Sequence, residues 1–416
     1  MKALLKHTRV SKKETFIKVT GSKSESNRLL LLQALYPSIA IKNLSESDDT
    51  RVLQKALQVE SGLVDVHHAG TAMRFLTAYF ATKEGAEITL SGSKRMHERP
   101  IKILVDALCS LGASITYLKE EGYPPLQISG KKIIHNQVTL KANVSSQYIS
   151  ALLLIAPSLP HGLTISLEGK ITSVPYIKMT LALLDALSIE NTFKGNTLTV
   201  HPKSNVSQTE CVVESDWSSA SYFYSFVALG AIPSVTISSY SEKSLQGDAA
   251  LASIYKELGV KTVFNASETS VTLSASEEKH VTNLIVDLAN TPDIAQTIVV
   301  TCFGLGIGCT LTGLHTLKIK ETDRLSALKN ELEKFGAQVS ITNDSLQLES
   351  CNIKALSEKT KETIVVDTYS DHRMAMAFAP LALQFLVCMN DPMVVTKSFP
   401  SFWEDIQKMG VLADFQ

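Results

Sequence analysis

The chain has no excess of charge of either sign. Its 416 residues carry 40 Lys and Arg against 41 Asp and Glu, a formal net charge of −1. That excludes a nucleic-acid binder driven by overall basicity. Cysteines are few and scattered (109, 211, 302, 309, 351 and 388), and none forms a Cys-x-x-Cys pair or a metal-ligand spacing. This pattern predicts reduced thiols and a cytoplasmic setting. No Walker motif is present, so neither a nucleotide nor an obligatory metal or other cofactor is expected. His67 and His68 are adjacent but lack an acidic or Cys partner at ligand spacing. The opening Met1–His7 has too short an apolar run for a signal peptide, and no low-complexity linker interrupts the chain. One stretch, 294–314, lacks charge and is long enough to be weighed as a membrane span. Gln296, several Thr and the run Gly304, Gly306 and Gly308 argue instead for a buried helix, a glycine turn and a strand. Those glycines are no dinucleotide fingerprint, because they follow a helix instead of opening one. The chain is therefore expected to bind neither nucleic acid nor membrane.

What is present points to two α/β domains. A chain of this length exceeds one ordinary core. An amphipathic helix, a stop residue and a β-rich run recur, with stops at Gly112, Ser188, Gly259, Gly336 and Gly410. Glycine there suits a left-handed helix cap. The stops lie roughly 75 residues apart, a period long enough for a whole βαβ-containing unit. A first copy ends near Leu57-Gln58-Val59 and is short, making six units in all. Gln137 to Leu140, Thr164 to Leu167, Ser234 to Ser238, Lys261 to Phe264 and Thr363 to Val366 read as strands.

Cations then recur where helix physics disfavours them. Lys23, Arg28, Arg74, Arg324 and Arg373 sit near predicted helix starts, beside Ser, Thr, Gly and Asp. A helix N-terminus carries partial positive charge and free N–H groups, so it attracts anions and mildly repels cations. Several such starts, each with an added cation, suggest a site for a strongly anionic small molecule. The plain alternative for any one of them is surface solvation. Ser22, Ser24, Ser26, Ser145 and Ser146 suit either helix capping or anion contact. Arg99 precedes Pro100, which suits a first helical turn, and its fork matches carboxylate or phosphate. Ser173-Val174-Pro175-Tyr176 opens a helix in the same way. Asp293 reads as a capping carboxylate or as a base beside cations. Glu321, between Lys320 and Arg324, reads as a local ion pair or a proton donor. Lys397, in an expected loop before Ser398-Phe399-Pro400, reads as a mobile clamp.

Taken together, these segments resemble the 5-enolpyruvylshikimate-3-phosphate synthase family. Gly21-Ser22-Lys23-Ser24 to Arg28, Ala69 to Arg74, Glu98-Arg99-Pro100, Ser145-Ser146-Gln147, Asp216 to Tyr222, Lys320 to Arg324 and Asp371 to Met376 match its blocks in order. The resemblance implies two similar domains, each of three βαβαββ units, with the active site in the cleft between them. By resemblance the first domain comprises 1–20 and 214–416 and the second 21–213, its first unit shortened. The implied reaction transfers the enolpyruvyl group of phosphoenolpyruvate to the 5-hydroxyl of shikimate 3-phosphate, releasing phosphate, on the way to chorismate and the aromatic amino acids. It needs no cofactor, and a monomer that closes on its substrates is implied.

Residue by residue, the resemblance assigns Lys23, Ser24, Arg28, Ser145, Ser146, Gln147, Ser173, Tyr176, Asp293, Thr316 and Lys320 to shikimate 3-phosphate. Lys23, Gly70, Arg99, Gln147, Arg324, Arg373 and Lys397 go to phosphoenolpyruvate. Asp293 handles the hydroxyl proton, and Glu321 protonates the methylene, with Lys23 or His372 assisting. Gly70 implies sensitivity to glyphosate. The chain departs from the family at 52–68, which is short, at His68 and at Thr316; Asn is usual at the last two positions. The sister family, UDP-N-acetylglucosamine enolpyruvyl transferases, carries a reactive loop Cys, whereas Cys109 here lies in an apolar helix. A non-catalytic anion-binding relative is a further reading, against which every proposed charged position is filled. An RNA-end-processing enzyme fits poorly with near-neutral charge.

Overall fold

The computed structural model describes residues 1–8, 15–141, 145–169, 171, 173–276 and 281–416. They form two compact units, one of Gly21–Val213 and one of Met1–Thr20 with Glu214–Gln416. Within 21–213, the helices that bear on function are α1 (Lys23–Leu35), α2 (Gly70–Thr82), α3 (Ser146–Ile155) and α4 (Val174–Ala186). The second unit contributes α5 (Trp217–Ala228), α6 (Ala295–Leu305), α7 (Arg324–Lys334) and α8 (His372–Phe378).

One sheet pattern recurs. Strands Ser61–Asp65, Glu87–Ser91, Leu126–Ser129 and Ser114–Tyr117 lie side by side in that order; the first pairing is parallel and the next two antiparallel. The parallel pairing needs a crossover, which α2 supplies, while the outer pair closes as a hairpin. Strands Gln137–Lys141, Leu163–Glu168, Thr197–Val200 and Asn191–Lys194 repeat the arrangement. The other unit repeats it three times, around central strands Ser234–Ser238, Gly308–Thr312 and Val387–Asn390. Among the described residues, only Ile39–Lys42 and Thr209–Val212 make a two-stranded, parallel sheet. The helix Asp48–Ala56 leads through 57–60 straight into Ser61–Asp65, so the hairpin found in the other repeats is missing there.

The stops of the repeat are left-handed. Gly112, Gly259, Gly336 and Gly410 have φ of 108, 78, 88 and 87°, and Ser188, where serine replaces glycine, has φ of 56°. At Gly112 the following Ala113 N–H reaches back to the Leu108 carbonyl at 2.9 Å, and Ile189 does the same to Leu184 at 2.9 Å. These bonds satisfy carbonyls that a helix end leaves open.

Each unit buries its helices in its own core. In α1 the leucines 29–32 are at most 3 % exposed, each contributing roughly 1.5–3 kcal/mol by leaving water. In α6 no residue is charged, and its hydroxyls are satisfied laterally: Thr297 pairs with Ser221 at 2.9 Å, and Thr301 with Ser225 and Tyr255 at 2.8 Å each. The uncharged stretch 294–314 is thus a buried helix, a left-handed Gly306 and a strand. Among the described residues, no helix is long and apolar enough to cross a membrane. One local expectation fails. Pro100 does not lie in a first helical turn, because the helix that follows begins at Lys102. The Pro100 carbonyl instead accepts bonds from Arg74 at 3.0 Å and Tyr148 at 2.5 Å.

Candidate active site

In the unit 21–213, α1 packs against α2, α3 and α4. Arg28 ties three of them: its Nε donates to Thr180 at 2.8 Å, one terminal nitrogen to the Ser24 carbonyl at 2.7 Å, and the other to Ser150 at 2.9 Å and the Tyr176 carbonyl at 3.3 Å. Its guanidinium also lies over the rings of Phe75 and Tyr176, at 5.6 and 6.0 Å. These four bond partners are all neutral oxygens, and burial pushes the guanidinium down to about 10 despite help from Tyr176 and Glu25. A buried cation bonded to neutral oxygens favours an incoming anion.

Lys23 opens α1 behind the Ser22 cap, with its Nζ 3.5 Å from the buried Asp49 carboxylate. Ser145 caps α3 by accepting from the Gln147 N–H at 3.3 Å, and the Gln147 amide donates to Thr71 of α2 at 3.0 Å. Ser146 and Ser173 are both 8 % exposed. Ser173 precedes α4 with φ of 54°, a conformation rare outside glycine and often kept for function. Gly70 opens α2 against Arg99: a Cβ built on it would lie 2.5 Å from one guanidinium nitrogen and 2.8 Å from the other. The space beside Gly70 is therefore filled by Arg99. Arg74, by contrast, is turned inward and 3 % exposed. It braces the Gly70 carbonyl at 3.2 Å and the Pro100 carbonyl at 3.0 Å. Its place near a helix start reflects packing.

In the other unit, charges of both signs alternate around Arg324, the first residue of α7. Its guanidinium meets Asp371 at 2.7 Å, Asp293 at 2.9 Å and Glu321 at 2.9 Å. Lys320 and Arg373 stand 3.4 and 3.5 Å from Asp293, and Lys397 2.5 Å from Glu321. Burial works against ionisation of Asp293, but Lys320, Arg373 and Arg324 outweigh it and hold the carboxyl well below its usual range. The local pair Glu321–Arg324 exists and Lys397 joins it from 76 residues away. Lys397 ends the 3-10 turn Pro392–Lys397 and is 4 % exposed, so it is pinned instead of lying in a mobile loop. His372, 1 % exposed, opens α8 with its Nδ1 3.5 Å from Asp371. Thr316 lies in the turn His315–Ile319, and its buried hydroxyl has no hydrogen-bond partner among the described residues.

The site also contains residues that sequence reasoning did not assign. Asp371 caps α8 through the Arg373 N–H at 2.9 Å while anchoring Arg324. Ser218 of α5 accepts from Arg373 at 3.2 Å and donates to Asp216 at 2.5 Å. A capping Asp before a short helix that carries a buried Arg was the available signal. The carboxylates are thus occupied by cations, and among the described residues no group of three His, Cys, Asp or Glu is placed to hold a metal.

Asp248, buried just before the helix Leu251–Glu257, had no sequence signal. Burial, reinforced by Asp293 and opposed by Arg373, pushes its carboxyl up to about 7. The folded state then holds this proton more tightly than the unfolded chain. The stability that this carboxyl contributes falls as pH rises from about 4 to about 7 and is flat beyond. Asp248→Asn is expected to raise the melting temperature at pH 8 by the equivalent of roughly 2 kcal/mol and to change little at pH 4. Equal shifts at both pH values would show that this carboxyl does not titrate there.

A sequence profile of the EPSP synthase (3-phosphoshikimate 1-carboxyvinyltransferase) family matches residues 54–406. A 3-phosphoshikimate 1-carboxyvinyltransferase of Bacteroides fragilis is 43 % identical over 400 residues, covering 95 % of each chain. One from Mannheimia haemolytica is 35 % identical over 443 residues, covering 97 % of this chain and 98 % of its own. The EPSP synthase structure from Acinetobacter baumannii superposes with a TM-score of 0.76 over 100 % of this chain and 99 % of that one, at 19 % identity, which bears on the fold. The profile, which spans most of the chain, and these relatives place the chain in the EPSP synthase (3-phosphoshikimate 1-carboxyvinyltransferase) family.

Proposed function

We propose that the charged clusters of both units act on one pair of substrates in the reaction of this family. The chain is an enzyme that transfers the enolpyruvyl group of phosphoenolpyruvate to the 5-hydroxyl of shikimate 3-phosphate and releases phosphate, in aromatic amino acid biosynthesis. In that reaction the hydroxyl oxygen bonds to the central carbon of phosphoenolpyruvate, its own proton leaves, and the methylene gains a proton. The tetrahedral intermediate then loses a methyl proton and its phosphate, and the double bond re-forms.

The residue types follow from this chemistry. Both substrates are anions, so Lys23, Arg99, Arg324, Arg373 and Lys397 take the phosphoenolpyruvate phosphate and carboxylate, with Gly70 and Gln147 beside them. Arg28, Ser24, Ser145, Ser146, Gln147, Ser173, Tyr176 and Lys320, with Lys23 and Thr316, take shikimate 3-phosphate. Asp293 accepts the hydroxyl proton and Glu321 delivers one to the methylene, with Lys23 and His372 assisting. The observation that carries this reading is the ring of Lys320, Arg324 and Arg373 around Asp293. Held by three cations, Asp293 is a weak base. Anionic substrates that draw those cations off return its proton affinity when the hydroxyl is in place. A monomer in a reducing cytoplasm suits the six free cysteines.

Phosphate release from the two substrates together, and from neither alone, tests the reaction. Gly70→Ala tests the site, because its methyl must displace the Arg99 guanidinium. The KM for phosphoenolpyruvate is expected to rise about tenfold or more with little change for shikimate 3-phosphate. An unchanged KM for phosphoenolpyruvate would remove Gly70 and Arg99 from its site.

A further inference from the structure

The segment before α8 is held by α7 at two places. Arg324 and Glu331 lie seven residues apart on α7, two turns along nearly the same face. Arg324 binds Asp371 at 2.7 Å. Glu331, fully buried, accepts from the Asp367 N–H at 3.0 Å with one carboxylate oxygen and from the Tyr369 hydroxyl at 2.7 Å with the other. Lys334 neutralises it at 2.7 Å and also reaches the Asp367 carboxylate at 2.9 Å and the Val365 carbonyl at 3.0 Å.

Between the two anchors the backbone is strained. Tyr369 and Ser370 have φ of 54 and 55°, two consecutive left-handed residues and neither a glycine. Such conformations persist only where the surroundings over-determine them. The Asp371 N–H closes the turn on the Thr368 carbonyl at 2.8 Å, and α8 begins at the next residue. With only seven residues, α8 takes its direction from this lead-in, and its first two residues are His372 and Arg373.

We propose that Glu331 and Tyr369 are positioning residues: they clamp the left-handed turn 369–370 and so aim Arg373 and His372. This rests on the reading of Arg373 as a phosphoenolpyruvate contact. If the clamp lets go, the turn relaxes toward ordinary backbone angles, and α8 rotates its N-terminus away from Asp293 and Ser218.

The test uses the full chain with Glu331→Gln, Tyr369→Phe, Ser370→Gly, the double variant Glu331→Gln/Ser370→Gly, and Arg373→Lys. Folded Glu331→Gln is expected to raise the KM for phosphoenolpyruvate about tenfold, and the milder Tyr369→Phe about threefold or more. Shikimate 3-phosphate binding, read by calorimetry, should stay within about twofold. Ser370→Gly alone leaves the KM near its original value. Added to Glu331→Gln it recovers part of the loss, because glycine adopts one of the two left-handed positions without a clamp. A purely structural role would lower the melting temperature of these variants without this split or this rescue. The proposal is overturned if Glu331→Gln and Tyr369→Phe, both folded, keep the original KM while Arg373→Lys raises it. If Arg373→Lys also leaves it unchanged, the reading of Arg373 itself fails and the positioning role falls with it.

Discussion

Replacing Glu321 with Gln is expected to lower kcat by roughly two to four orders of magnitude, the range for removing a group that transfers a proton in the transition state. The substitution keeps the shape and removes both the charge and the exchangeable acid. Glu321 lies 2.9 Å from Arg324 and 2.5 Å from Lys397, so in the free enzyme it serves as a counter-ion. A carboxylate that surrenders its cations to an anionic ligand gains proton affinity. The arriving phosphate and carboxylate of phosphoenolpyruvate would make that exchange, arming Glu321 only when substrate is bound. A second readout separates this from general damage. In deuterated water the working enzyme should wash deuterium into the methylene of unreacted phosphoenolpyruvate, because the added proton is one of three equivalent hydrogens when the intermediate reverts. Glu321→Gln should lose that exchange in step with kcat. A folded variant retaining more than about a tenth of kcat would end the proton-donor assignment.

Replacing Arg324 with Met is expected to destabilise the protein by about 3–5 kcal/mol, because removing one partner of a buried ion pair strands the other. Asp293 keeps Lys320 and Arg373 and Glu321 keeps Lys397, so the carboxylate stranded is Asp371, fully buried and 2.7 Å from Arg324. At about 2–4 °C per kcal/mol for a unit of this size, the melting temperature falls by roughly 10 °C. The pH dependence has a definite sign. The Asp293 carboxyl is held well below its usual range by Lys320, Arg373 and Arg324 acting against burial. Its contribution is present above the ordinary carboxylate pKa and is lost as pH falls through the lowered folded value. Without Arg324, Asp293 keeps Lys320 and Arg373 but loses one of the cations that lower its carboxyl. That part of the deficit is therefore full at neutral pH and narrows as pH falls below the ordinary carboxylate range, about 4. Calorimetric melting of both proteins at about pH 7 and about pH 3 checks this. An equal deficit at both would mean that Arg324 stabilises by packing alone.

Much of the architecture was legible because it is local. Left-handed stops are a property of single residues, so Gly112, Gly259, Gly336 and Gly410 marked the repeat, and Ser188 adopts the same backbone despite its side chain. The strands Ser234–Ser238 and Ile364–Val366 followed from β-branched runs. The cations at helix starts were legible as residue types, but their directions were not. Arg74 resembles Arg28 in its local sequence setting, yet its partners are the carbonyls of Gly70 and Pro100, and the latter lies 26 residues away. Lys397 read as a loop lysine, and its pinning at Glu321 depends on a fold that brings positions 76 residues apart together.

The sequence by itself determined the repeat, the helix caps and the supply of cations and carboxylates, because each depends on neighbours within a few residues. Tertiary structure alone decided which cation faces which carboxylate. It stranded Asp248 where burial raises its carboxyl to about 7, filled the space at Gly70 with Arg99, and joined Glu331 to Asp367 and Tyr369. The reason is that desolvation and Coulomb attraction act through space, and distances across a folded chain bear no relation to separation along it.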